Sequence, residues 1–527
     1  MCCGEQANTM ALLKSAMQVG GLTLASRLLG FVRDQLIAFT IGTGIVAEAY
    51  FVAQRLPNLF RALFAEGAFN NAFVPQFARM AEGEGQNKAF FFARDTLSVL
   101  FAWMLLFCAL AMILMPWLMP VLAPGFTGDA EKISLATELT RICFPYLALM
   151  SLAALFGGVL NSLNRFAVPA AAPIVMNCAI IFAALMAWWL GLGNSPGTGR
   201  LLAWGITLSG VAQLALLMFA AGRAGARTLP GLPRLTSDVK RVIWLSVPGL
   251  ISGGIIQINL LIATMLATGF AGGVAFLYYA DRLFQLPLGL IGVAIGVVLL
   301  PTLSRKLRSG DRQGALDSQN RALEFALFLT LPAAAALIIL GRPILHAMFE
   351  HGAFTRSDTL NVAPVLAVFA LGLPAFTITK IFQPGFYARE DTKTPMYFAI
   401  AAVFVNVASS FILSRFMAHV GIALATSIAA WVNAGLLVFA AVKRGDFSAD
   451  GIFKHRFPRM VIALFAMSAV LLLLLWLLQE NYAEGASTME QLLGLAVLIA
   501  AGVASYFLFA HVIGAFRISE LRRALSK

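Results

Sequence analysis

Charged side chains stand inside long apolar stretches at three places in this chain. Ser26 to Asp34 reads SRLLGFVRD, setting Arg27, Arg33 and Asp34 in an otherwise hydrophobic run. Glu48, Arg55, Arg61 and Glu66 surround Pro57-Asn58, and Asp281 and Arg282 precede Pro287. An arginine at mid-bilayer costs about 2.5–3.5 kcal/mol on insertion scales, so such residues seldom face lipid. On a helix, Glu48, Arg55 and Glu66 fall within about 20° of one another, although Pro57 can bend that stripe. Arg27, Arg33, Arg55, Arg61 and Arg282 outnumber Asp34, Glu48, Glu66 and Asp281. Guanidinium groups stay charged and grip phosphate oxygens bidentately, so an anionic ligand is favoured over an organic cation. The plainer alternative is that these charges form structural ion pairs between helices, or snorkel to water from helix ends.

The elements that must position them are membrane helices. Of 527 residues, 60% are hydrophobic and 12% charged, and the mean hydropathy is +0.84. Apolar windows of about 20 residues recur with short polar interruptions, leaving no room for a soluble domain of ordinary size. The pattern predicts 14 helices, near 20–42, 46–72, 92–122, 133–160, 167–191, 200–221, 239–268, 273–302, 321–348, 361–388, 395–417, 420–442, 459–479 and 488–514. Basic residues alternate between the two sets of connections. Arg79, Lys88 and Arg94, the cluster from Arg223 to Arg241, Arg305 to Arg312, Arg389 with Lys393, Lys443 to Arg459 and the tail from Arg517 to Lys527 fall on one side. Thr40 to Ile45, Gly269 to Gly273 and Gln479 to Gln491 fall on the basic-poor side. Both termini are therefore expected in the cytoplasm.

The first six helices overlay the second six. Val19-Gly20-Gly21-Leu22 matches Val247-Pro248-Gly249-Leu250, Arg55-Leu56 matches Arg282-Leu283, and Pro75 with Arg79 matches Pro301 with Arg305, at offsets of 226 to 228. An even number of helices per repeat gives two parallel lobes about a central cleft, with helices 13 and 14 as an appendage. The expected division is an N-terminal cytoplasmic segment 1–19, an N-lobe 20–222, a cytoplasmic linker 223–238, a C-lobe 239–444, a cytoplasmic loop 445–458, the last two helices 459–514 and a cytoplasmic tail 515–527. Arg27, Arg33 and Glu48 correspond to Ile255, Leu261 and Ala275 in the second half. The scaffold can thus be built without those charges, which argues that something other than the fold keeps them.

Other chemistries find little support. The formal charge of +13 is spread over loops without stacking aromatics, unlike a nucleic-acid surface. Cys108, Cys143 and Cys178 lie in apolar stretches and Cys2 and Cys3 at the N-terminus, with neither metal spacing nor a disulfide framework. His346 and His351 flank Glu350, but match no zinc-enzyme motif, so no metal site is expected. Glycines near 249–254 and 289–296 read as helix-packing contacts rather than a phosphate loop. No nucleophile stands with a base, so no catalytic residue is expected. Charges interrupt the first apolar run and no cleavage site follows, so no signal is removed, and Met10 offers an alternative start.

SRLLGFVRD (Ser26 to Asp34), RLPNLFRALFAEGAFNNAFVP (Arg55 to Pro75), YYADRL (Tyr278 to Leu283) and PGFYAREDTKTP (Pro384 to Pro395) resemble the MurJ (MviN) family of lipid II flippases, over nearly the whole chain from Met10. The resemblance implies the fold of the multidrug/oligosaccharidyl-lipid/polysaccharide exporter superfamily, an all-α polytopic protein of two six-helix lobes plus two C-terminal helices flanking a groove for a lipid tail. It also implies the bacterial inner membrane and, as substrate, the undecaprenyl-pyrophosphate-linked disaccharide-pentapeptide. The family's cavity arginines match Arg27, Arg33, Arg61 and Arg282, which are expected to bind substrate. Asp34, Glu48, Arg55, Asn58, Glu66 and Asp281 are expected to support or gate them, Glu48 and Glu66 pairing with arginines in one state and releasing them in the other. Glu48 stands where relatives usually carry Asp, Arg55 where Lys is common, and Ala62 where some have a second arginine. Some relatives bind sodium through an acid in helix 7, but Gly249 to Thr268 contains none, so sodium coupling does not carry over. No cofactor is implied, and membrane potential or bound ions are left open as energy sources. Flippases for other polyprenyl-pyrophosphate-linked glycans, a multidrug antiporter of the same superfamily and a membrane scaffold are the rival readings.

Overall fold

The computed structural model describes residues 2–62, 68–226, 228–478 and 487–515. Glu66, Arg227, most of the Gln479 to Gln491 connection and the basic tail lie outside these residues. Fifteen α-helices follow one another among the described residues: α1 (Cys2–Ile41), α2 (Ile45–Arg61), α3 (Ala68–Gly83), α4 (Gln86–Leu122), α5 (Ala130–Cys143), α6 (Pro145–Ser162), α7 (Ala167–Trp189), α8 (Pro196–Arg223), α9 (Ser237–Ala267), α10 (Gly273–Arg308), α11 (Arg312–Phe349), α12 (Arg356–Tyr387), α13 (Lys393–Lys443), α14 (Gly451–Leu477) and α15 (Thr488–Val512). A 3-10 turn at Pro124–Phe126 joins α4 to α5. Among the described residues nine helical stretches are long and apolar enough to cross a membrane by length and composition, α5 and α6 together forming one of them, Ala130–Ser162. Helices α1, α2 and α10, which carry the charged candidates, are outside that set.

Where the observed elements differ from the expected spans, a local cause is visible. The span near 133–160 arrives as α5 and α6, divided at Phe144, which keeps helical angles (φ −63°, ψ −36°). Pro145 at the first position of α6 has no N–H to continue the ladder. The spans near 395–417 and 420–442 arrive as one element, α13, whose only non-helical residue is Ala418 (φ 48°, ψ −133°). A Cβ on Gly421 would sit 2.4 Å from the carbonyl carbon of Leu413. Residues eight apart on an unbroken helix are separated by about 12 Å, so the chain reverses at Ala418 and these are two spans. Helix α14 begins at Gly451, eight residues before the expected start, because Asp450 caps it, accepting from the Phe453 N–H at 2.7 Å.

The chain divides into two compact units, Met1–Ala275 and Phe276–Lys527. In the first, α1 lies against α7, α2 against α5, and α9 against α3 and α4. Its core gathers Phe73, Phe77, Phe92 and Phe156, with Phe73 stacked between Phe69 and Phe92 at centroid distances of 5.5 and 5.4 Å. In the second, α11 packs against α12 and α14, and α12 against α13. Phe328, Met467, Leu471 and Tyr506 join α11 to the last two helices. Polar contacts fasten the same junction. Arg321 pairs with both Glu324 and Asp450, Arg456 reaches Glu324 at 2.6 Å, and Asn320 donates to the Ser448 carbonyl at 2.9 Å.

Candidate functional site

The charges of α1 close on a partner in α7. Arg33 Nε and Nη2 donate to Asp34 Oδ1 at 2.9 and 2.7 Å. Its Nη1 donates to Asn177 Oδ1 at 2.9 Å. Asn177 Nδ2 in turn donates to the Ser26 carbonyl at 2.7 Å and contacts Ser26 Oγ at 3.3 Å. The Arg33 and Asp34 side chains are 11% and 4% exposed. A buried pair is tolerable only where further hydrogen bonds satisfy the remaining donors and lone pairs, and the Asn177 amide does this from the neighbouring helix. Arg27, earlier on α1, is exposed.

Glu48, in the first turn of α2, is 2% exposed. Its partner here is Lys132, a residue outside the set that the sequence singles out. The Lys132 ammonium also lies 4.2 Å from the Phe126 ring centroid. Asp129 caps α5 and positions this lysine by accepting from its backbone N–H at 3.0 Å. Backbone N–H groups of Gly272 and Val274 donate to the Glu48 carboxylate, bringing it to the first residues of α10. The 3-10 turn closes on the same place. Gly125 N donates to Thr268 Oγ1 at 3.1 Å, and a Cβ on Gly125 would lie 2.1 Å from the Thr268 carbonyl oxygen, so only glycine fits.

Farther along α2, which stays helical through Pro57, Arg61 Nε donates to Asn58 Oδ1 at 3.2 Å. Both line a cavity of about 310 Å³ that also presents Asn70, Tyr146, Asn161 and Gln213. Amides and a phenol offer paired donors and acceptors, and one permanent cation accompanies them. Arg55 is half-buried. In the second unit, Arg282 lies 4.6 Å from the ring centroid of Tyr278, one turn earlier on its own helix. Asp281 Oδ2 accepts from Gln285 Nε2 at 2.7 Å. His346 and His351 diverge: the first pairs with Glu350 at 2.8 Å, and the second contacts the Ala347 carbonyl at 3.3 Å.

Two residues central to this arrangement carry no motif. Lys132 precedes an apolar run and reads as a loop lysine, although its isolation at a basic-poor helix end was a usable signal. Asn177 is a lone amide in an apolar helix, where amides that hydrogen-bond across helices are expected to sit.

The family model described as "Lipid II flippase MurJ" matches residues 37–493. The chain belongs to that family. A relative from Rhizobium meliloti (strain 1021), named "Probable lipid II flippase MurJ", is 45% identical over 98% of this chain and 97% of its own length. "Lipid II flippase MurJ" of Burkholderia cenocepacia is 33% identical over 88% of this chain and 90% of its own. Among solved structures, a lipid II flippase MurJ in an inward closed conformation aligns with a TM-score of 0.75 at 25% identity, covering 97% of this chain and all of its own. An inward-facing multidrug resistance transporter of the MATE family aligns with a TM-score of 0.66 at 14% identity, over 81% of this chain and 98% of its own. That second likeness is one of fold. The expectation of an all-helical membrane protein of this family is met.

Proposed function

We propose that this chain moves lipid II from the cytoplasmic to the periplasmic leaflet of the bacterial inner membrane by alternating access, binding and carrying it without chemical change. The observation that carries the reading is the family match over nearly the whole chain. Both termini are cytoplasmic in this reading, following the basic residues. The disaccharide-pentapeptide headgroup enters the cleft while the undecaprenyl chain stays in lipid. Arg27, Arg33 and Arg282 hold the pyrophosphate and Arg61 assists from the cytoplasmic end, with Asn58 and the neighbouring amides suited to hydroxyl and acetamide groups.

Asp34 and Asn177 hold three Arg33 donors in one geometry, so substrate oxygens have to exchange with Asp34 to be gripped by that fork. Glu48, held by Lys132 and the backbone at the start of α10, serves as a latch: its contacts persist in one state and break in the other, which is what a two-state carrier needs. Outward movement of an anionic headgroup across a membrane with an inside-negative potential is favourable by about 2.3 kcal/mol per charge per 100 mV.

The test is replacement of a cell's own flippase by this chain, with outward exposure of lipid II as the readout. Wild type is expected to restore exposure and Arg27→Ala to fail at matched membrane levels. A well-inserted wild type that restores nothing directs the substrate to another lipid-linked glycan. Rescue by both leaves the activity and removes the role of Arg27.

A further inference from the structure

In the first unit, α4 and the first turns of α9 line a groove of about 510 Å³, with Phe69 of α3 at its side. Among the described lining residues only Thr96, Ser246 and Trp103 carry a polar side-chain group. The two hydroxyls are already used: Thr96 Oγ1 donates to the Phe92 carbonyl at 2.8 Å, and Ser246 Oγ to the Val242 carbonyl at 2.9 Å. Met104, Val239 and Val242 are buried at the back, whereas Trp103, Ile243 and Val247 form an exposed edge. Because α4 is a membrane-length helix, that edge opens to lipid. The connection from α8 to α9 marks one end of the groove. Gly231 N donates to Ser98 Oγ at 2.8 Å, which pins the connection to α4. Leu229, Leu232 and Leu235 are exposed along it, and Leu235 lines the groove. Arg234, Lys240 and Arg241 are exposed too and outnumber Asp238, the one acid between Arg234 and Arg241.

We propose that this groove holds an acyl chain of an anionic glycerophospholipid, with the headgroup phosphate at the basic end of α9. Walls whose hydroxyls bond to their own helices offer an occupant nothing but apolar contact, which suits a hydrocarbon chain. From Val239 to Leu250 the groove follows about 16 Å of helix, close to half of the roughly 30 Å hydrocarbon core. Its depth is therefore that of one leaflet, and an undecaprenyl chain would overrun it. Exposed leucines beside exposed basic residues are the composition of a segment lying at the headgroup boundary, where the cationic excess attracts anionic lipid. In the orientation proposed above this is the cytoplasmic leaflet.

The test uses the full chain in phosphatidylcholine vesicles with increasing phosphatidylglycerol brominated midway along its acyl chains, read as quenching of Trp103 by difference between wild type and Trp103→Phe. Half-quenching is expected at a mole fraction about fivefold below that needed with equally brominated phosphatidylcholine, a preference of the size that one basic residue near an anionic surface supports. Trp244, exposed on α9 and outside the groove lining, is the control against Trp244→Phe and should be quenched alike by the two lipids. Ser246→Phe, which fills the groove, should remove the preference at Trp103. Arg234→Gln combined with Lys240→Gln should remove it as well, by weakening the headgroup contact, while the helical circular dichroism of both variants stays that of wild type. The same preference at Trp103 and Trp244, or a preference that survives in either variant, overturns the proposal. So does undecaprenyl phosphate relieving the quenching at a lower mole fraction than unbrominated phosphatidylglycerol, which assigns the groove to the carrier lipid. The brominated lipid occupies both leaflets and no readout depends on transport, so the site can fail separately from the flippase activity and its orientation.

Discussion

Helices α1 and α2 and their repeat counterparts, α9 and α10, are built to one plan and filled differently. Where α1 has Arg33, α9 has Leu261, and both helices run unbroken through that position. Glu48 is 2% exposed, and its counterpart Ala275 is fully buried. One copy thus spends a buried position on a carboxylate that needs Lys132 and two backbone N–H groups, and the other fills it with a methyl. The buried charges are therefore dispensable for making the helices and costly to keep. Glu48 also accepts from the backbone N–H groups of Gly272 and Val274, so its burial is supported by more than one partner.

The strongest way to break this comparison is to make α1 resemble α9. Asp34→Ile alone strands the Arg33 guanidinium and should destabilise the chain by about 3–5 kcal/mol, measured by equilibrium unfolding in mixed micelles. Arg33→Leu with Asp34→Ile, copying Leu261 and Ile262, should recover most of that stability and still fail to restore lipid II exposure. A double variant that transports normally would make the pair ordinary scaffold.

A smaller effect sharpens the Glu48 half. In a double-mutant cycle, Glu48→Ala and Lys132→Met should each destabilise, with a coupling of about 1–3 kcal/mol. Coupling below about 0.5 kcal/mol would mean that the backbone N–H groups of Gly272 and Val274, and not Lys132, hold the carboxylate. Asn177→Leu follows, with an expected loss of about 1–3 kcal/mol from leaving Arg33 Nη1 and the Ser26 carbonyl without their amide. That loss should vanish in the Arg33→Leu, Asp34→Ile background if the Arg33 contact is its main source.

The smallest effect contrasts these buried charges with an exposed loop pair. Arg444 Nη1 reaches Asp391 at 2.7 Å and holds the Asp391 carboxyl down to about 2, with Thr394 adding hydrogen bonds. A depressed carboxyl stabilises above its unfolded value of about 3.9 and loses that contribution as pH falls. Asp391→Asn should cost under about 1 kcal/mol at neutral pH, and the gap from wild type should close between about pH 5 and 2. A gap that persists at pH 2 would assign the loss to the hydrogen bonds rather than to charge.

Most of the fold was legible because hydropathy in lipid is a direct physical constraint: among the described residues the long apolar runs lie in helices, and the reversal at Ala418 fell between two expected spans. The expected span near 133–160 is met by one membrane-length stretch, Ala130–Ser162, and the break at Phe144 leaves no trace in hydropathy because Pro145 removes only one N–H from the ladder. In the site, the spacing of Arg33, Asp34, Asn58 and Arg61 already marked residues that the structure brings together within their own helices. Lys132 and Asn177 escaped because their roles depend on which helices become neighbours, and α2 beside α5, or α1 beside α7, is a packing outcome that residue types alone do not encode.

The contacts that fasten α14 to α11 bear on how the protein is made. Glu324 is buried and shares Arg321 and Arg456, yet Arg456 and Asp450 emerge from the ribosome more than 120 residues after it. Until α14 arrives, Glu324 has Arg321 as its nearest basic partner and Asp450 does not yet exist to complete the set. Docking of the last two helices is therefore a closing event in biogenesis, since only then can Arg456 and Asp450 complete the ion-pair set at the start of α11.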